Sequence, residues 1–302
     1  MNLRMPERVR VDAVIQAAMD MEAAPFLHEL APLGDAETPD AVLGGSRMTQ
    51  RFALGELEGT SVLVVTSGIG LAAAELFLAG GASVMLVGRS AERGQEALAQ
   101  LAAGENARFV CGDVQRSADC QHAVEACVRV FGGVDILVNS AGIYVEGALD
   151  DLTDEMLDDL IATNVKGTFH LTQAALPYLR STQGNIVNIA SDAGLHGNYF
   201  CAAYAATKGA VIAFTRSLAL ELARDQVRVN AVAPADILTP LTERQLSPHR
   251  AREEQLREMA SVYPLGRIGT PREAAAAIAF LASSAAAWVT GSVYCVDGGL
   301  AV

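Results

Sequence analysis

The sequence is short of positive charge. Its 302 residues contain 22 lysines and arginines against 35 aspartates and glutamates, which gives a formal net charge of −13 at pH 7. A surface of this sign repels phosphate backbones, so we do not expect nucleic acid as the main partner. Hydrophobic residues make up 51% and charged residues only 19%, which excludes a disordered chain. A chain of this length can bury a core without a disulfide or metal.

Cysteine motifs and long hydrophobic runs are absent as well. The five cysteines are Cys111, Cys120, Cys127, Cys201 and Cys295. None forms a Cys-x-x-Cys pair or lies near a histidine at zinc-finger spacing, so we predict reduced thiols and no metal site. The longest uncharged apolar-rich run, residues 274–289, is too short for a membrane span, and no signal-peptide core is visible. We expect a soluble cytoplasmic protein without a membrane partner.

From about residue 60 the chain alternates short β-rich runs with helical patterns. The predicted strands are residues 60–66, 83–87, 107–111, 134–139, 184–190, 227–233 and 292–297, and the predicted helices are residues 71–79, 91–103, 117–131, 153–181, 202–225 and 271–283. Near-continuous apolar strands between helices indicate a parallel sheet buried on both faces. We predict an α/β fold, a Rossmann-like doubly wound parallel sheet, as one domain over residues 60–302. Residues 1–59 do not follow this rhythm and are predicted to be an N-terminal extension.

Tyr204 and Lys208 lie four residues apart on a predicted helix, hence on one face. The chain has only two lysines, so chance predicts roughly 0.04 pairs of this spacing. Ser191 ends a predicted strand thirteen residues before Tyr204, and Asn164 lies within the long predicted helix. Taken singly, Ser191 could be a strand-end cap and Asn164 a buried amide bonded to the backbone.

These four residues have the spacing of the catalytic tetrad of the short-chain dehydrogenases/reductases, and the chain resembles that family from about residue 67 to 302. The supporting motifs are Asp113-Val114, Asn139-Ser140-Ala141-Gly142, Arg228-Val229-Asn230, the segment from Pro234 to Thr239, Pro264-Leu265-Gly266-Arg267 and Val296-Asp297-Gly298-Gly299. Two of them depart from the family pattern: Ser140 replaces an asparagine and Ala235 a glycine. The resemblance implies one catalytic domain and a homo-oligomer, a tetramer or dimer.

The resemblance implies NAD(P)-dependent hydride transfer between nicotinamide and a carbonyl or secondary alcohol, a small-molecule substrate. Tyr204 would be the general acid/base, with a pKa lowered by the Lys208 ammonium. Ser191 would donate to the carbonyl oxygen, and Asn164 would hold a water that connects Lys208 to solvent. The residues implied in cofactor binding are Ser67, Gly68, Ile69, Gly70, Arg89, Asp113, Val114, Asn139, Ala141, Gly142, Tyr204, Lys208, Pro234, Ile237 and Thr239.

The second predicted strand ends in Gly88-Arg89-Ser90, without the acidic residue that would bind an adenosine ribose diol. A guanidinium suits phosphate geometry, so Arg89 could pair with a 2′-phosphate. We therefore predict a preference for NADP(H), with NAD possible. The alternative is that Arg89 is an ordinary surface arginine.

The first strand–helix turn is shorter than the family form, T-G-x-x-x-G-x-G. It reads Thr66-Ser67-Gly68-Ile69-Gly70, three residues short. The shortening must pull the helix toward the sheet or draw strand residues into the loop, and either change can weaken phosphate binding.

Residues 14–26, 52–59 and 62–70 resemble the start of the methylthioadenosine/adenosylhomocysteine nucleosidases, in which Glu22 would match an acidic active-site residue. The later catalytic aspartate and the purine-binding segments have no counterpart, so we do not expect nucleosidase activity. The alternative to an active oxidoreductase is a folded chimera with impaired cofactor binding.

The resemblance to the short-chain dehydrogenases/reductases places the substrate pocket against Ile143, Tyr144, His196, Tyr199 and Phe200. Residues 241–263 are charged and lack strand signals, so we predict that they form a mobile lid. The sequence does not distinguish a sugar, a steroid, an acyl thioester or a small ketone as the substrate.

Overall fold

The computed structural model describes Leu57, residues 59–65 and residues 67–301. The predictions that concern residues 1–56, including Glu22 and most of the nucleosidase-like segment, lie outside the described residues.

Seven parallel strands form one sheet. They are β1 (Ser61–Val65), β2 (Ser83–Gly88), β3 (Ala107–Cys111), β4 (Ile136–Asn139), β5 (Asn185–Ile189), β6 (Arg228–Pro234) and β7 (Val293–Val296). Their order is β3-β2-β1-β4-β5-β6-β7, so the direction of winding reverses between β1 and β4. In such sheets ligands bind at this reversal, outside the carboxyl ends of the strands. The predicted Rossmann-like doubly wound parallel sheet is confirmed.

Helices cover both faces of the sheet. They are α1 (Gly68–Ala79), α2 (Ala91–Leu101), α3 (Ser117–Phe131), α4 (Asp154–Leu160), α5 (Gly167–Thr182), α6 (Ala202–Leu222), α7 (Pro240–Glu243), α8 (Arg252–Ala260) and α9 (Pro271–Ala282). Alternate residues of β1 serve opposite faces: Val62 and Val64 pack toward α1 and α9, and Leu63 and Val65 toward α3 and α5. This two-sided burial explains why β1 is apolar along both faces.

Two segments differ from the sequence-based prediction. The single helix predicted over residues 153–181 is instead α4 and α5, joined by a π-helical turn at Ile161–Lys166. The three elements follow one another without a break, and over a single turn the sequence pattern does not distinguish i→i+5 from i→i+4 hydrogen bonds. The predicted lid, residues 241–263, lacks strands as expected and includes most of α7 and all of α8. Its mobility stays a prediction.

No helix in the part of the chain that the structure describes has the length and apolarity needed to span a bilayer.

Candidate active site

The carboxyl ends of the central strands open onto a cavity of about 1930 Å³. Eleven predicted site residues line it: Ser67, Gly68, Ile69, Arg89, Gly142, Ser191, Tyr204, Lys208, Pro234, Ile237 and Thr239. Asp113, Val114 and Ala141 line a neighbouring cavity of about 120 Å³, which shares the predicted site residues Ser67, Arg89 and Gly142 with the large one. The structure therefore gathers most of the predicted site along one cleft.

The tyrosine–lysine pair lies at the start of α6. Tyr204 is in the first turn, and the Lys208 Nζ atom lies 5.8 Å from the centroid of its ring. The same Nζ donates a hydrogen bond of 2.8 Å to the carbonyl oxygen of Ile189, the last residue of β5. Tyr144 packs against Tyr204 in an edge-to-face arrangement, with ring centroids 4.8 Å apart. The carboxyl end of β5 thus holds Lys208 in place, and the ring of Tyr144 holds Tyr204.

Burial controls the protonation of both groups. It raises the pKa of Tyr204 above its ordinary value, Asp192, Cys201 and Asp236 raise it further, and a hydrogen bond with Ser191 opposes them. Burial lowers the pKa of Lys208 to about 8. The expectation that the ammonium lowers the pKa of the phenol is not met in this structure, because desolvation disfavours the charged form of each group.

Ser191 follows β5 and begins a short 3₁₀ turn, Asp192–Gly194. Its Oγ atom accepts a hydrogen bond from the Ala193 N–H at 3.2 Å. Its hydroxyl donates to Oδ1 of Asp192 at 2.8 Å. The side chain caps the turn, as its simpler interpretation predicts, and it also lines the cavity beside Tyr204.

Asn164 lies on the π-helical turn and is buried. Its Oδ1 accepts from the Ile143 N–H at 2.8 Å, and its Nδ2 donates to the Ile143 carbonyl and to Thr207 Oγ1, both at 3.0 Å. π-Helical turns occur frequently at functional sites. Here the turn presents an amide that ties the segment after β4 to the residue preceding Lys208.

Asn139, Gly70 and Asn164 are the predicted site residues that line neither cavity. The Asn139 amide is buried and donates to Thr172 Oγ1 at 2.9 Å and to Asn188 Oδ1 at 2.8 Å. A Cβ atom added to Gly70 would lie 2.2 Å from the Val65 carbonyl oxygen. In this structure both residues hold the framework of the cleft together, and contact with a cofactor stays a prediction for them.

The connection between β1 and α1 contains only residues 66 and 67. Ser67 caps the helix: its Oγ accepts from the Gly70 N–H at 2.9 Å and is also hydrogen-bonded to Ser140 Oγ. A Cβ atom on Gly68 would lie 2.9 Å from Thr239 Cγ2, on the segment that follows β6. The N-terminus of α1 thus reaches the cavity through a tightly packed, glycine-dependent turn.

Several cavity residues were not predicted. Asp192 lies three residues after the end of β5 and Asp236 two residues after the end of β6, and that position after a strand is the signal that could have identified them. Asp236 accepts a hydrogen bond of 2.7 Å from Tyr263 Oη, while burial raises the pKa of its carboxyl. Glu146 also lines the cavity and accepts from Tyr144 Oη at 3.2 Å.

Of the five residues predicted to form the substrate wall, three line the cavity. Ile143, Tyr144 and Phe200 line the cavity, whereas His196 and Tyr199 do not. Tyr199 is 92% exposed, because its loop directs this side chain into solvent.

Three comparisons agree on the family. The family model described as Enoyl-(Acyl carrier protein) reductase matches residues 64–301. The chain is 40% identical over 252 residues to 3-oxoacyl-(acyl-carrier-protein) reductase FabG of Thermotoga maritima, covering 82% of this chain and 99% of that protein.

Two solved structures from Brucella melitensis share the fold. One, titled short-chain dehydrogenase/reductase SDR:Glucose/ribitol dehydrogenase, has a TM-score of 0.76 at 38% identity and covers 81% of this chain and 98% of its own. The other, a 3-ketoacyl-(acyl-carrier-protein) reductase complexed with NADH, has a TM-score of 0.74 at 33% identity and covers 82% of this chain and 100% of its own. The chain therefore belongs to the short-chain dehydrogenase/reductase family of oxidoreductases.

Proposed function

We propose that this protein is an NADP(H)-preferring oxidoreductase that interconverts a carbonyl and a secondary alcohol. The observation that carries the proposal is one continuous cavity that extends from Arg89 past Ser67 and Gly68 to the hydroxyls of Ser191 and Tyr204. A nicotinamide cofactor, when bound, supplies or accepts the hydride. Its pyrophosphate would lie at the N-terminus of α1, where backbone N–H groups favour anions.

At the end of the cavity that contains Ser191, Tyr204 and Lys208, each side chain has a separate role in proton transfer. Since the pKa of Tyr204 is raised, its hydroxyl keeps its proton at neutral pH and can donate it to a carbonyl oxygen. Ser191 would stabilise the charge that develops on that oxygen. Lys208, with a pKa lowered to about 8, can change protonation near neutral pH and pass a proton toward the phenol. Asn164 is a positioning residue that fixes Ile143 and Thr207 around this pair.

The preference for NADP(H) rests on the end of β2. Arg89 lines both cavities, and no acidic residue accompanies it in the Gly88-Arg89-Ser90 turn. Its guanidinium can pair with a 2′-phosphate in two-pronged geometry. That a relative binds NADH supports a nicotinamide cofactor in general, and NAD stays a second possibility for this chain.

A cofactor titration tests the proposal. We expect NADPH to raise the melting temperature of the full-length protein with a Kd tighter than about 100 μM, roughly 5.5 kcal/mol. A carbonyl and alcohol panel should then show turnover that Tyr204→Phe reduces by at least about a hundredfold, far more than it changes the Kd for NADPH. Tyr199→Phe is the matched control, because this exposed ring lies outside the cavity wall.

The two-residue connection between β1 and α1 favours the second candidate, a folded chimera with impaired cofactor binding. No thermal shift at millimolar NADPH and NADH, with no turnover, would support that candidate. Nucleosidase activity would require adenine release from methylthioadenosine, which we do not expect.

We also propose a homo-oligomer, a tetramer or dimer, built on the long helices and the last strand. Exposed apolar side chains on these elements support it: Phe169 on α5, Leu220 on α6 and Tyr294 on β7. Light scattering of the purified protein tests it, and a monomer at micromolar concentration would contradict it. Localisation in the cytoplasm stays a prediction.

A further inference from the structure

The hydroxyl of Ser191 already has an acceptor within the protein. Its hydroxyl donates to Asp192 Oδ1 at 2.8 Å and its oxygen accepts from the Ala193 N–H, so Asp192 competes with the Tyr204 hydroxyl and with any substrate oxygen for the single proton. A serine hydroxyl has only one proton to donate. Ser191 therefore cannot stabilise a substrate oxygen and bond to Asp192 at the same time.

Redirecting that proton has a consequence for Asp192. Its side chain faces the cavity, yet the residue is only 8% exposed. Within the described residues it forms no ion pair with a lysine or arginine. A nearly buried carboxylate that loses a donor is costly unless another donor replaces it. A substrate group that enters the cavity can supply that donor when Ser191 donates to another oxygen.

We propose that Asp192 recognises a hydrogen-bond donor on the carbon adjacent to the reacting carbon, so that the site prefers vicinal diols, α-hydroxy ketones and vicinal amino alcohols over simple alcohols and ketones. The inference rests on the proposed function. Two oxygens on neighbouring carbons are about one hydrogen-bond length apart, as are Ser191 Oγ and Asp192 Oδ1. A substrate oxygen held by Ser191 therefore places its neighbour beside the carboxylate.

The charges around Asp192 favour a donor over an anionic substituent at this position. Asp236, after β6, and Glu146, after β4, line the same cavity and are acidic. The facing hydroxyls of Tyr144 and Tyr263 donate to these two carboxylates, and the Lys208 ammonium donates to Ile189. Arg244, beside α7, is the other basic residue at the substrate end of the lining. A neutral hydroxyl or an ammonium can donate a hydrogen bond to Asp192, whereas the negative charge of Asp192 would repel a carboxylate or phosphate.

Four alcohols of one carbon skeleton test the proposal with full-length protein and NADP⁺: butan-2-ol, butane-1,2-diol, 1-aminobutan-2-ol and 1-methoxybutan-2-ol. The methoxy compound keeps the second oxygen but lacks its proton. We expect kcat/KM for the diol and the amino alcohol to exceed that for the other two by at least about tenfold. A diol that reacts no better than the methoxy compound would overturn the proposal without any variant.

Asp192→Asn provides the second arm, because it preserves size and removes the charge. We expect the diol preference to fall to within about threefold, with butan-2-ol turnover affected far less. Asp150→Asn is the matched control, an exposed carboxylate outside both cavities, and should keep the full preference. Retention of the preference in Asp192→Asn would overturn the proposal. Absence of turnover with all four alcohols and the broader panel would instead reject the proposed function, and this inference with it.

Discussion

The two ends of the cleft are stabilised in different ways. At the catalytic end, side chains hold side chains and carbonyls in place: Asn164 makes three hydrogen bonds, and Lys208 bonds to the last carbonyl of β5. At the phosphate end the backbone itself is packed, with Gly70 against the Val65 carbonyl and Gly68 against Thr239. The first end depends on residue identity and the second on chain length and the absence of a Cβ atom.

This difference separates chemistry from binding. The catalytic end keeps every residue type of the family tetrad, whereas the phosphate end has lost three residues of the expected turn. Changes at the catalytic end should therefore alter turnover or pH dependence, and changes at the phosphate end should alter folding or cofactor affinity. A variant that fails this division would show that the two ends are coupled through α1 and the segment after β6.

The largest effect is expected from Lys208→Met. Loss of the ammonium should lower kcat by about a hundredfold or more. The same change should raise the free energy of unfolding at pH 7, because burial of the charged lysine costs on the order of 3 kcal/mol. Loss of the hydrogen bond from Lys208 to Ile189 reduces this gain. Lys166→Met, the only other lysine and an exposed one, is the control. Equal stability of Lys208→Met and the wild type at pH 7 would contradict the prediction.

The pH dependence of this stability gain has a defined sign. The pKa of Lys208 is about 8 in the folded protein against an ordinary value of 10.5. Between these values the unfolded chain binds more protons, so the wild type gains stability as pH rises. The advantage of Lys208→Met should therefore be full below pH 8 and shrink toward pH 10.5, as chemical denaturation at several pH values can measure.

The phosphate end should respond most strongly to Gly70→Ala. The new Cβ would lie 2.2 Å from a backbone oxygen that cannot rotate away, so α1 must shift. Overpacking of this kind costs about 1–3 kcal/mol, and we expect the upper part of that range in urea unfolding. Gly209→Ala is the control: its Cβ meets nothing closer than 3.7 Å, and alanine favours the interior of α6. Destabilisation of both variants by the same amount would argue against a specific clash.

The sequence predicted the fold, and the grouping of Ser191, Tyr204 and Lys208 around one cavity, better than it predicted the contacts of these residues. All seven strands could be predicted, most readily β1, β2 and β4, which are buried on both faces and almost uninterruptedly apolar. Tyr204, Lys208 and Ser191 were identified by spacing. The start of α1 was placed at Leu71 instead of Gly68, because glycines are weak helix formers and the cap from Ser67 outweighs them here.

What the sequence did not reveal depends on tertiary geometry. The pKa of Tyr204 was expected to fall, since the Lys208 spacing is visible in the sequence and the burial of the ring is not. The role of Asp192 depends on which way the Ser191 hydroxyl points, and no residue pattern encodes that. His196 and Tyr199 were predicted to line the pocket from their position in the chain. The direction of their loop determines whether their side chains reach the cavity, and they do not line it.

Restoring the length of the first turn should tighten cofactor binding. Insertion of Gly-Ala-Ala between residues 66 and 67 recovers the family spacing and gives the backbone more N–H groups to direct at a pyrophosphate. We expect the Kd for NADPH to fall by about tenfold, about 1.4 kcal/mol, with kcat little changed. The same insertion between Gly132 and Gly133, a turn with no atoms near the Gly132 Cβ position, controls for added length. Unchanged affinity would mean that the two-residue turn already binds phosphate fully.

The smallest effect is expected from Arg89→Ala, which tests how the phosphate end distinguishes two cofactors. The side chain is exposed, so its charge is partly screened by water, and its loss should weaken NADPH binding by only about three- to tenfold. The main-chain carbonyl of Arg89 accepts the hydrogen bond from Cys111 Sγ, and truncation of the side chain leaves that contact in place. NADH lacks the 2′-phosphate, so its Kd should not change. If the binding of both cofactors weakens equally, Arg89 supports the shape of the cleft and does not bind the 2′-phosphate. The preference for NADP(H) must then come from other residues near the end of β2.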